Sequence, residues 1–111
     1  MPTPGVLGEF EQSALLAVAH LDDHAYGVTI RKEIERRTGR SISIGALYTA
    51  LDRLERKGFV ASTMSDPTPE RGGRSRRYYT LKAAGATALR RTRDRLERMW
   101  AGLEADLKGR P

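Results

Sequence analysis

Residues 43–81 constrain this chain more than any other stretch, because their residue types admit one order of elements. Ser43 can cap a helix, and Ile44, Leu47, Leu51 and Leu54 follow at spacings of three, four and three, a single narrow buried seam. Gly58 ends the helix, and Phe59 to Ser65 reads as a strand. Asp66-Pro67-Thr68-Pro69 is turn chemistry, since proline cannot donate to a ladder. Gly72-Gly73 frees the tip, and Arg74 to Leu81 reads as the returning strand. Alternation puts Tyr79 and Leu81 on one face and Arg76 and Tyr78 on the other, and it turns Arg77 to the Tyr79 side in a structural role.

The flanking segments are helical. From Gly8 to Leu21, Phe10, Ala14, Ala17 and Leu21 recur at helical intervals, while Leu15, Leu16 and Val18 leave little polar surface. A helix apolar nearly all round needs cover on both sides, and a domain this small covers one. Asp22-Asp23-His24 interrupts the pattern, a second helix runs from about Tyr26 to Thr38, and Gly39 stops it. Ala83 to Lys108 reads as one long helix on which Leu89, Thr92, Leu96, Met99 and Leu103 keep a heptad rhythm, with Trp100 and Leu107 beside them. Nothing later in the sequence could cover this stripe, so an identical chain is its simplest partner. Phe10, Leu15, Leu89, Leu96, Met99, Trp100, Leu103 and Leu107 are the expected dimer contacts. The whole reads as a mainly α chain with a two-stranded β wing: a flexible leader at 1–7, a winged helix-turn-helix at 8–81 and a dimerisation helix at 82–111.

Charge indicates the partner. Twenty Lys and Arg against fourteen Asp and Glu in 111 residues give +6, which favours an anionic partner, nucleic acid before membrane. Arg71, Arg74, Arg76 and Arg77 crowd around the glycine pair. A duplex carries one negative charge per about 1.7 Å of axis, and guanidinium matches phosphate in shape and charge. On the third helix Ser43, Gly45, Ala46, Tyr48 and Thr49 form the face for a major groove. Thr49 and Ala46 suit base edges and thymine methyls, whereas Tyr48 and Ser43 suit phosphates. Arg53, Lys57, Arg71, Arg74 and Arg76 are the expected phosphate-neutralising set, with Tyr78 beside them.

Other chemistries find little footing. Without cysteine there are no disulfides, thiol catalysis or sulfur-ligated zinc. The opening residues lack the cationic front of a secretory signal, and the longest apolar stretch is far short of the ~20 residues that cross a bilayer. A cytoplasmic protein without a membrane role is expected. No nucleophile elbow, phosphate loop or metalloprotease motif is present, so neither catalysis nor a cofactor is expected. His20 and His24 stand four apart, but Asp22 and Asp23 look like a helix stop and no third ligand is evident, so no metal is expected. Single-stranded RNA binding through Arg71-Gly72-Gly73 beside Tyr78 and Tyr79 would need splayed bases on exposed rings, and one such piece is too little.

Taken together, these pieces resemble the PadR family of bacterial transcriptional regulators. Leu7-Gly8-Glu9-Phe10-Glu11 resembles its opening helix and Ala25-Tyr26-Gly27 its entry to the second. Gly45-Ala46-Leu47-Tyr48 through Leu51-Asp52-Arg53-Leu54-Glu55-Arg56-Lys57-Gly58 resembles its recognition helix and the following turn. Thr68-Pro69-Glu70-Arg71-Gly72-Gly73-Arg74 and Arg77-Tyr78-Tyr79-Thr80-Leu81 resemble its wing. The resemblance implies a homodimeric repressor on an inverted-repeat duplex, released by a small inducer. Trp100 then has two readings: packing in the dimer seam, or a platform for a flat aromatic inducer walled by Phe10 and Met99. The rival to DNA binding is a winged-helix module that binds protein through its first and last helices. One departure stands out: Leu81-Lys82-Ala83-Ala84-Gly85 occupies the place where the family usually has Leu-Thr-Pro-x-Gly. Loss of the capping threonine costs about 1 kcal/mol and predicts a shifted or frayed start to the last helix.

Overall fold

The computed structural model describes residues 7–65 and 75–109. Helix α1 (Glu9–Leu21) leads through a 3-10 turn (Asp22–His24) into α2 (Gly27–Thr38) and α3 (Ile44–Arg56). Strands β1 (Val60–Met64) and β2 (Arg77–Leu81) form the wing, and α4 (Ala83–Trp100) and α5 (Glu104–Lys108) follow. The strands pair antiparallel, with Val60 opposite Leu81, Ser62 opposite Tyr79 and Thr63 opposite Tyr78.

The core gathers one face from each of α1, α2, α3, β1, β2 and the first half of α4. Leu15 and Val18 of α1, Ile30 of α2, Leu47, Leu51 and Leu54 of α3, Val60 of β1 and Tyr79 of β2 are its largest fully buried side chains. Each contributes roughly 1.5–3 kcal/mol through removal from water. Burial disfavours the ionised Tyr79 phenol and pushes its pKa up to about 12. Leu7 is also buried, so the last residue of the expected leader belongs to the core; residues 1–6 lie outside the described residues.

Three sequence expectations need correction. Leu15 is 0% exposed and packs inside its own chain, while its neighbour Leu16 points outward. The α1 face that meets α2, α3 and β2 is therefore broader than a single four-three stripe. Ile44 is exposed, and the seam of α3 is Leu47, Ala50, Leu51 and Leu54. The last helix is also not continuous. Residues 101–103 form a turn in which Gly102 takes φ +83°, a backbone region open to glycine, and α5 restarts at Glu104.

The start of α4 neither shifts nor frays. No side chain caps it, and it begins at Ala83 all the same. Tertiary contacts hold it: the Lys82 N–H donates to the Phe59 carbonyl at 2.9 Å, and Gly85 is buried flat against that same carbonyl, where any Cβ would collide. Ala88 and Thr92 continue this inward face, the buried Thr92 hydroxyl donating to the Ala88 carbonyl at 2.8 Å. Beyond Thr92 every residue of α4 is exposed, and the molecule measures 56 × 30 × 24 Å.

Candidate nucleic-acid interface

The exposed side of α3 is a consequence of its seam. With Leu47, Ala50, Leu51 and Leu54 turned inward, the 3.6-residue period turns Ser43, Gly45, Ala46, Tyr48, Thr49 and Arg53 out. Ser43 caps the helix, its hydroxyl accepting from the Ala46 N–H at 3.1 Å. Thr49 donates to the Gly45 carbonyl at 3.0 Å. Among the described residues, nothing lies within 4 Å of the position a Cβ would take on Gly45. Packing within the chain does not require glycine there, and a surface brought up from outside can approach the backbone closely.

Tyr48 lies across Gly27, the buried first residue of α2; a Cβ on Gly27 would clash with the Tyr48 hydroxyl and ring. Arg53 and Arg56 are exposed on the later turns. Lys57, expected to neutralise phosphate, also pairs with Glu11 of α1: its ammonium donates to both carboxylate oxygens, at 2.9 and 3.1 Å. Burial alone would raise the Glu11 pKa, but the Gly8 N–H and Lys57 outweigh it and hold the carboxyl below its usual range. This pair ties α1 to the end of α3. Sequence spacing does not reveal this pair, because 46 residues separate its members.

At the wing, Arg71 and Arg74 lie outside the described residues. Arg76 is half-buried, and its guanidinium carbon sits 4.2 Å from the ring centroid of Tyr26. Tyr78 meets the same ring edge-on, centroids 5.4 Å apart and planes at 67°. Arg77 donates to the Ser62 hydroxyl at 3.0 Å, which donates to Glu55 of α3 at 2.7 Å, in line with the structural role expected of it. Tyr26 and Gly27 were legible only as part of a motif; their contact with both the wing and α3 is a tertiary feature.

The residues expected to wall an inducer pocket do not come together. Trp100 lines a cavity of about 720 Å³ with Leu16, Leu89, Leu96 and Arg93. Phe10 lines a separate cavity of about 370 Å³ beside Ile34, Ile42 and Ser43. Met99 belongs to neither and is 75% exposed, since one residue along a helix turns a side chain by about 100°. The two histidines also part company: His20 Nδ1 faces Arg37 at 3.3 Å, and His24 sits by Asp23. Among the described residues no group of three or more His, Cys, Asp or Glu could hold a metal ion, and no helix is long and apolar enough to cross a membrane.

Comparison with known proteins agrees with this architecture. Residues 15–91 match the model of the Transcriptional regulator PadR-like family. The chain is 34% identical over 94 residues to Transcriptional regulator Rv3488 of Mycobacterium tuberculosis, covering 82% of this chain and 83% of that one. A PadR family transcription regulator from hypervirulent Clostridium difficile superposes with a TM-score of 0.73 at 25% identity, covering 90% of this chain and 99% of its own. A PadR-like regulator from Bacillus cereus, 18% identical, shares the fold with a TM-score of 0.71 over 90% of this chain and 92% of its own. A winged helix-turn-helix whose recognition helix shows small residues outward, matched over most of its length by that family, leaves one assignment: the chain belongs to the PadR-like family of transcriptional regulators.

Proposed function

We propose that this regulator is a homodimeric repressor that grips an inverted-repeat duplex and is released by a small aromatic inducer. The observation that carries the DNA reading is the bare outward turn of α3, Ser43, Gly45, Ala46 and Thr49, beside a wing rich in arginine. Two such helices, one per protomer, would enter successive major grooves about 34–36 Å apart. Ala46 and Thr49 face base edges, and Tyr48 and Ser43 face phosphates. Arg53, Lys57, Arg71, Arg74 and Arg76 supply the salt-dependent part of affinity, Lys57 from a position where it also pairs with Glu11.

What supports dimerisation is the apolar surface of the last helices. Leu96, Met99 and Trp100 of α4 and Leu103 and Leu107 beyond it are all exposed, as is Leu16 of α1. Leu89 is half-buried against the core and continues the same edge. An inducer fits the cavity lined by Trp100, Leu16 and Leu96, an apolar wall with Arg93 and Gln12 as polar anchors.

Selection of bound duplexes from a random pool tests the reading. Enriched sequences should contain two half-sites in inverted orientation, their centres about one helical turn or a multiple apart. A pool without enrichment would favour the protein-binding module instead.

A further inference from the structure

Tyr26 stands immediately before α2 and meets the wing twice over. The Arg76 guanidinium carbon lies over its ring, 4.2 Å from the centroid, and its ring and that of Tyr78 meet in a T-shaped contact at 5.4 Å. The backbones join at the same place: Tyr26 and Tyr78 form an antiparallel bridge, and the Tyr79 N–H donates to the Ala25 carbonyl at 2.8 Å. Thr29 steadies the other side, its hydroxyl accepting from the Tyr26 N–H at 3.0 Å. The next residue, Gly27, lies beneath Tyr48 of α3. Residues 26 and 27 therefore touch both elements of the proposed DNA-binding face.

A guanidinium held over a ring by its central carbon still has N–H donors that can reach a partner away from that ring. Its rotamer freedom is already surrendered, so a phosphate that accepts from those donors does not have to order it. The geometry points to Tyr26 as a positioning residue of this interface: its ring holds Arg76 preorganised for a phosphate and keeps the wing in register with α3. The inference rests on the DNA-binding reading above.

The test is fluorescence anisotropy with a labelled duplex of mixed sequence over a KCl series, because phosphate neutralisation does not depend on sequence. Tyr26→Phe keeps the ring and should bind like the parent. Tyr26→Leu and Arg76→Met should each raise Kd roughly five-fold or more, and each should lower the log–log salt slope by about 0.9 for every phosphate it ceases to neutralise. Their combination should be no worse than either alone. Parent-like affinity and slope in Tyr26→Leu, or full additivity of the pair, would overturn the inference while leaving DNA binding intact. A parent protein without salt-dependent binding would bring down the DNA reading and this inference with it. Circular dichroism checks the fold of Tyr26→Leu. If it unfolds, Tyr26→Met decides, since methionine keeps apolar bulk and lacks the ring: a raised Kd and a lowered salt slope support the inference, and parent-like values refute it.

Discussion

Single side chains carry more of this architecture than their spacing suggests. Gly85 lets α4 lie against the Phe59 carbonyl, and that contact stands in for the capping side chain that Lys82 lacks. Gly85→Ala forces the helix off this seat and should destabilise the fold by about 1–3 kcal/mol, as overpacking does. Thermal melts should show a drop of roughly 4 °C or more; an unchanged midpoint would mean the seat is soft. Glu11 makes a pH-dependent contribution. Its pKa is lowered from 4.5 in the folded chain, so the stability it lends is present above that value and is lost as pH falls through the folded pKa. Glu11→Gln should cost about 1 kcal/mol near neutrality, since the pair is only partly screened from solvent. The difference from the parent should shrink progressively in urea titrations taken to pH values further and further below 4.5.

At the scale of elements, α3 depends on its first turn. Ser43 is its side-chain cap, and Ser43→Ala should lower stability by about 1 kcal/mol, read as a shifted denaturant midpoint. Element identities were largely legible. The seam from Leu47 to Leu54 and the Pro and Gly punctuation around the wing are local signals, and α3, β1 and β2 stand where they point. The strands, Val60–Met64 and Arg77–Leu81, are shorter than the residue types suggest, although the Ser65 N–H to Arg76 carbonyl and Lys82 N–H to Phe59 carbonyl bonds carry the pairing one residue past each end. The interruption at Gly102 escaped the heptad pattern, since Leu103 and Leu107 keep an apolar rhythm through it and one glycine is a weak signal against four leucines.

For the whole molecule, the partner that the proposed reading calls for is a second copy. The outer half of α4 holds Leu96, Met99 and Trp100 in solvent, and isolated apolar stripes of that kind seek cover. Leu96→Asp should halve the mass seen by light scattering while leaving the far-ultraviolet circular dichroism of the protomer unchanged. A variant of parental mass would move the interface away from this stripe. The candidate DNA face was partly legible at this scale: the outward residues of α3 follow from its period, whereas the occupation of Lys57 by Glu11 and of Arg76 by Tyr26 does not.

The sequence alone determined the kinds of element, their order and the basic balance of the surface. Those follow from periods of 3.6 and 2, from proline and glycine, and from counting charges, all of which act within a few residues. Only the tertiary structure decided that Leu15 faces inward and Leu16 outward, which arginine is stacked and which lysine is paired, and where α4 is seated. Each of those depends on which distant segment arrives at a given side chain, and that is a property of packing rather than of neighbours along the chain.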